Sequence, residues 1–116
     1  MAIALPFRGR SHPSEQRAAP RYRCPPATLV LVCRPGTEGH LEGWAHELSR
    51  SGIGLNLAEP LDVGSAAVVR IHARKPCGTL LLAAQVKHAT AQADGSWRVG
   101  CAFDEPLDVE LMDALL

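Results

Sequence analysis

Two arginines four residues apart, Arg17 and Arg21, stand in a stretch almost free of acids. Further along, Glu47-Leu48-Ser49-Arg50-Ser51-Gly52 gathers a carboxylate, two hydroxyls, a guanidinium and a glycine into six residues. A guanidinium is a planar fork that fits two phosphate oxygens or a purine edge, and its face can stack on a base. Arginine supplies 10 of the 12 basic residues, and the charge is unevenly spread although the net is zero. Residues 1–37 carry six Arg against Glu15 alone, residues 38–103 balance, and residues 104–116 carry five acids and no base. The N-terminal block reads as a ligand arm, with a solvated basic arm as the plainer alternative.

Catalytic chemistry finds no footing. Nucleophile-elbow, zincin, P-loop and dinucleotide motifs are all missing from the sequence. His46, Glu47 and Ser49 invite comparison with a triad, but strand alternation would send residues 46 and 47 to opposite faces. No enzyme is expected. Cys24, Cys33, Cys77 and Cys101 have no paired spacing and the histidines are scattered, so no metal and no cofactor are expected. Cys33 and Cys101 lie in apolar runs and read as small core residues. Met1–Phe7 is too short, and wrongly flanked, for a secretory signal, and no run approaches the roughly 18 residues of a membrane span. A reducing, cytoplasmic setting is the expectation.

The elements that must position these residues are short. One domain is expected from 116 residues, and 9 Pro with 10 Gly argue for strands and turns over a helical bundle. Residues 1–24 are Arg- and Pro-rich without periodicity and read as a flexible arm. From there six strands are expected: Ala27–Cys33, His40–Glu47, Ile53–Leu57, Ala66–Ala73, Thr79–Thr90 and Ser96–Phe103. Asp94-Gly95 marks a hairpin. Leu107, Leu111 and Leu115, widened by Val109, Met112 and Leu116, predict an amphipathic helix over 106–116, capped by Asp104 or Glu105 with Pro106 leading. The fold class is all-β with one C-terminal helix, a sandwich or a closed barrel on residues 25–116.

Arg17-Ala18-Ala19-Pro20-Arg21, followed by Glu47-Leu48-Ser49-Arg50-Ser51-Gly52, resembles the PilZ domain family of bacterial cyclic di-GMP receptors. That family carries RxxxR in a flexible N-terminal segment and [D/N]xSxxG between its second and third strands. The first motif matches completely; the second matches in Ser49 and Gly52 but has Glu47 where Asp or Asn is usual. Ile53-Gly54-Leu55 and Trp97-Arg98-Val99-Gly100-Cys101-Ala102-Phe103 also look like the family, so the resemblance spans about residues 15–116. It implies a six-stranded antiparallel β-barrel, the PilZ-like split barrel, with a C-terminal helix.

The resemblance implies roles. Arg17 and Arg21 would fork onto phosphates or guanine O6 and N7, and ligand would order the arm onto the barrel. Glu47 would accept from guanine donors, and Ser49 would serve ligand or turn. Gly52 would permit a tight, even left-handed, turn and close approach of ligand. Arg23, Arg50 and Trp97 are auxiliary candidates, although both Trp44 and Trp97 read first as barrel packing. His40, His46, His72 and His88 read as surface residues at strand ends. Glu47 adds about 1.5 Å of reach and one rotor, which weakens binding. The expected function is a cyclic di-GMP receptor acting on an effector protein, monomeric or weakly dimeric, with neither membrane nor nucleic acid as partner. The alternative is a PilZ-fold interaction adaptor with weak or no nucleotide binding.

Overall fold

In a computed structural model describing residues 20–25, 28–73 and 78–116, the alternating aliphatic runs form seven strands and one helix. These are β1 (Tyr22–Arg23), β2 (Leu29–Cys33), β3 (Leu41–Leu48), β4 (Gly52–Leu57), β5 (Ala66–Ala73), β6 (Gly78–Ala91), β7 (Trp97–Phe103) and α1 (Val109–Leu115). The order β3-β2-β5-β6-β7-β4 is antiparallel throughout and closes on itself where β4 pairs with β3. The result is the six-stranded closed barrel with a C-terminal helix that the sequence predicts. Closure removes the free edges that an open sheet would expose.

Every second residue points inward. Val30, Val32, Ile53, Leu55, Leu57, Val69, Ile71 and Val99 are buried, and each contributes about 1.5–3 kcal/mol by leaving water. Leu61, Leu107, Met112, Ala114 and Leu115 join that core, so the helix belongs to the same hydrophobic unit as the barrel. Cys101 is buried in it, and burial pushes its thiol up to about 11. Cys33, by contrast, falls on the outward phase of β2 and is only half-buried.

The alternation slips by one residue in two strands, and both slips shape the outer surface. In β3 the register shifts between Ala45 and Glu47, so Ala45 and Leu48 both face the core across a three-residue step. A β-bulge is the only arrangement that buries both. It turns His46 and Glu47 to the same outer face, correcting the expectation that they part. In β6 the shift lies between Val86 and His88.

Two boundaries differ from the sequence expectation. Tyr22 and Arg23 pair with Leu48 and Glu47, so the end of the N-terminal segment runs along the edge of β3 just beyond β2. The Lys75–Cys77 turn, like Arg17, lies outside the described residues. The helix begins later than position 106 and is shorter: Asp108, not Asp104 or Glu105, caps it by accepting from the Leu111 amide at 2.8 Å. Leu107 stays outside because its backbone bonds Arg50 in both directions. Val109 consequently faces water rather than the core.

Candidate functional site

The turn between β3 and β4 is built around one hydroxyl. Ser49 Oγ accepts from the amides of Ser51 at 3.2 Å and Gly52 at 3.1 Å and lies 3.1 Å from Ser51 Oγ. The Ser49 amide donates to the Gly52 carbonyl at 2.9 Å, which closes the turn. Ser49 is buried, so its hydroxyl is occupied by the turn itself. Gly52 is not left-handed; positive φ occurs at Gly36, Gly39, Gly64 and Gly95. Its requirement is room, since a Cβ there would stand 2.4 Å from the Cys101 carbonyl oxygen of β7. The turn is tied outward by Phe103 N donating to Ser51 O at 2.8 Å and by Arg50 Nε donating to Leu107 O at 2.7 Å. Arg50, proposed from sequence as an auxiliary contact, is thus held by the helix lead-in.

Just before this turn, Arg21 Nη1 stands 3.3 Å from Glu47 Oε1, with Arg21 largely open to solvent and Glu47 partly so. One arginine of the RxxxR pair therefore meets the acidic residue of the second motif on the barrel wall. Arg23 faces Glu47 directly across the β1–β3 pairing. Next to Arg23, Cys24 is half-buried, and burial first, then the Glu47 carboxylate, push its thiol up.

The bulge at His46 puts an imidazole against Gly54: a Cβ on Gly54 would come within 2.6 Å of His46 Nε2 and 3.0 Å of Glu47 Cγ. Gly54 pairs with Gly100 on β7, and Gly100 lies under the His88 ring in the same manner. Four adjacent strands thus present a low floor of two glycines overlaid by two imidazoles, bordered by Glu47 and Arg23. His46 and His88 sit within their strands, beside bulges, rather than at strand ends. His46 is held below the usual histidine range, first by burial and then by the Arg98 guanidinium, with Arg23 adding to the effect and Glu47 opposing it.

The tryptophans part company: Trp97 packs as barrel, as first read, while Trp44 does not. Trp97 shares the inward phase of Val99 and Cys101 and packs against the core, so it is not brought to the Glu47 face. Arg98, its neighbour, takes the outward phase, is exposed and lies near enough to His46 to repel a proton. Sequence reading passed over Arg98, although the alternation Trp97, Val99, Cys101 already assigns it outward. Trp44 is 48% exposed beside Leu29 and Asn56 on the outer surface, not in the barrel. The set Arg21, Arg23, Glu47 and Arg98 offers three forked donors and one acceptor around a flat floor. That arrangement suits an anionic ligand carrying planar groups with N–H donors. Among the described residues no cluster of three or more His, Cys, Asp or Glu is placed to hold a metal.

A family model described as PilZ domain matches residues 15–116. The chain belongs to the PilZ domain family. Its fold is also that of a solved PilZ domain and of two further solved proteins. The PilZ domain of YcgR from Escherichia coli, described with c-di-GMP, is 16% identical with a TM-score of 0.65, covering 86% of this chain and 88% of that one. The Bacillus subtilis inhibitor of motility MotI is 16% identical with a TM-score of 0.64, covering 85% and 47%. MrkH of K. pneumonia, described as a c-di-GMP complex, is 16% identical with a TM-score of 0.63, covering 84% and 48%. The chain therefore spans about half the length of MotI and MrkH. Comparison with curated proteins returns no match in sequence.

Proposed function

We propose that this PilZ domain is a receptor for cyclic di-GMP that reports the second messenger to an effector protein. The observation that carries the reading is the meeting of Arg21 with Glu47, 3.3 Å apart, on the wall beside the β3–β4 turn. That meeting joins the two motifs of the family at one place, although they are far apart in sequence. Two solved structures of the same fold, the YcgR PilZ domain and MrkH, are described with c-di-GMP, which supports the ligand class.

In this reading Arg21 and Arg17 fork onto phosphate oxygens or the O6 and N7 edge of guanine, and Glu47 accepts from the guanine Watson–Crick N–H groups. Arg17 lies outside the described residues and enters by its spacing from Arg21. Ser49 and Gly52 act through the turn that aims Glu47. The ligand brings Arg17 to the wall where Arg21 already stands and takes Arg21 and Glu47 from each other, and that rearranged surface is what an effector protein reads. The chain performs no reaction in this scheme and works in the bacterial cytoplasm, where the messenger is found. No helix among the described residues is long and apolar enough to cross a membrane.

Calorimetric titration of the purified protein with cyclic di-GMP tests the proposal. Saturable binding that is lost in Arg21→Ala is expected. A flat titration would instead favour the interaction-adaptor role.

A further inference from the structure

His46 Nε2 is, among the described residues, a buried side-chain nitrogen with no hydrogen-bond partner. Buried polar atoms nearly always have one, so the orphan requires a physical reason. Its ring is seated on Gly54, whose missing Cβ would come within 2.6 Å of Nε2 and 2.7 Å of Cε1. On that seat Nε2 faces glycine backbone without an acceptor. An imidazolium would bury a charged ring with an unpaired N–H there, which costs far more than burying the neutral ring, so the seated ring is the neutral imidazole.

The charges around the seat point the same way. Arg98 of β7 and Arg23 of β1 oppose a proton on His46, while Glu47 of β3 favours one and is itself engaged by Arg21. Gly54 and Asn56 of β4 bring no charge, and His88 of β6 lies over the neighbouring Gly100. Without ligand, cationic neighbours outnumber the single carboxylate.

We propose that His46 is a further ligand-binding residue of this site, leaving its Gly54 seat as the imidazolium when a dianionic nucleotide settles against Arg23 and Arg98. The inference rests on the nucleotide reading given above. The phosphates offset the two guanidiniums that repel a proton, and a ring swung off the glycine can present both N–H groups to phosphate oxygen or water. One proton from solvent is taken up per seat vacated, so ligand and proton bind cooperatively and reciprocally. The bulge in β3 is what gives the ring this seat beside Glu47, and glycine at position 54 is what makes the seat available.

The test is calorimetry of the full chain with cyclic di-GMP at about pH 7.5 and about pH 5.5, a range in which histidine titrates and the nucleotide does not. Buffers of unlike ionisation enthalpy count the protons, and the His46 imidazole resonances are followed with and without ligand. Binding is expected to tighten about fivefold at the lower pH, the part reached there of the tenfold limit set by a rise of about one unit in the His46 pKa on binding. His46→Gln should lose that pH dependence and the proton uptake, whereas His88→Gln should keep both. An unchanged His46 pKa, or a His46→Gln protein that keeps the wild-type pH dependence, would overturn the proposal while leaving the receptor reading intact. Absence of binding at both pH values would remove the receptor reading, and this inference with it.

Discussion

Shortening the acidic side chain of the second motif, by Glu47→Asp, is expected to tighten cyclic di-GMP binding about tenfold. Two effects add. In the free protein Arg21 Nη1 is held 3.3 Å from Glu47 Oε1, so the ligand must compete for both groups. The pair is solvated, with 69% and 36% of the two side chains exposed, and a pair of that kind is worth about 0.2–1 kcal/mol. Withdrawing the carboxylate by about 1.5 Å takes it out of reach of Arg21 in its present position. The second effect is a rotor: aspartate has one fewer to immobilise, a gain of about 0.5–1 kcal/mol. Together these give about 0.7–2 kcal/mol, centred near 1.4 kcal/mol, which is about a factor of ten. Parallel calorimetric titrations of the two proteins at one pH and salt concentration read the ratio directly. Glu47→Ala should bind more weakly than either, because guanine donors would be buried without an acceptor. If Glu47→Asp binds less tightly than the parent, the pocket is built around the longer side chain and the Arg21 contact helps shape it, contrary to this reasoning.

Arg17→Ala with Arg21→Ala should abolish binding while moving the thermal midpoint by no more than about 3 °C, since the solvated Arg21–Glu47 pair contributes little to the fold. Gly52→Ala should destabilise by about 2–3 kcal/mol in urea titrations because its Cβ meets the Cys101 carbonyl, which is fixed in the β7 backbone. Gly100→Ala should cost less than about 1 kcal/mol, since the obstacle is the exposed His88 ring, which can turn away. Ser49→Ala should lower stability by about 0.5–1.5 kcal/mol in the same assay, leaving part-buried turn amides without their acceptor. For His46, whose pKa falls on folding, stability is complete above the unfolded value of about 6.5 and declines as pH drops through that value toward the folded one; His46→Gln should flatten the decline in thermal scans across that range.

The six barrel strands were legible because each buries one aliphatic phase, and residues such as Val30 with Val32, or Ile53 with Leu55 and Leu57, leave no other register. The bulges were harder. Their trace in sequence is a three-residue step between core residues, Ala45 to Leu48, which can equally be taken as the end of a strand. That ambiguity hid the shared face of His46 and Glu47, and with it the Gly54 seat. The β1 pairing was hidden for a different reason: Tyr22 and Arg23 have no buried phase, and their placement is decided by the open edge of β3. The helix start is likewise non-local, because the choice among Asp104, Glu105 and Asp108 depends on Arg50 holding Leu107 from the far side of the turn.

The second motif divides by what surrounds each residue. Ser49 is buried with its hydroxyl spent on the turn, and Gly52 is demanded by the backbone of β7. Both would be needed by this fold with no ligand in the world. Glu47 and Arg21 are solvated, contribute little to stability and meet without any packing requirement. A chain could therefore keep the turn residues and lose the solvated pair at little cost to its fold, which is how an adaptor without nucleotide affinity would arise. The structural demands on Ser49 and Gly52 thus exist whether or not a ligand binds. In the receptor reading proposed above, the residues that would separate receptor from adaptor are Arg21 and Glu47, and this chain has both on one face of the wall.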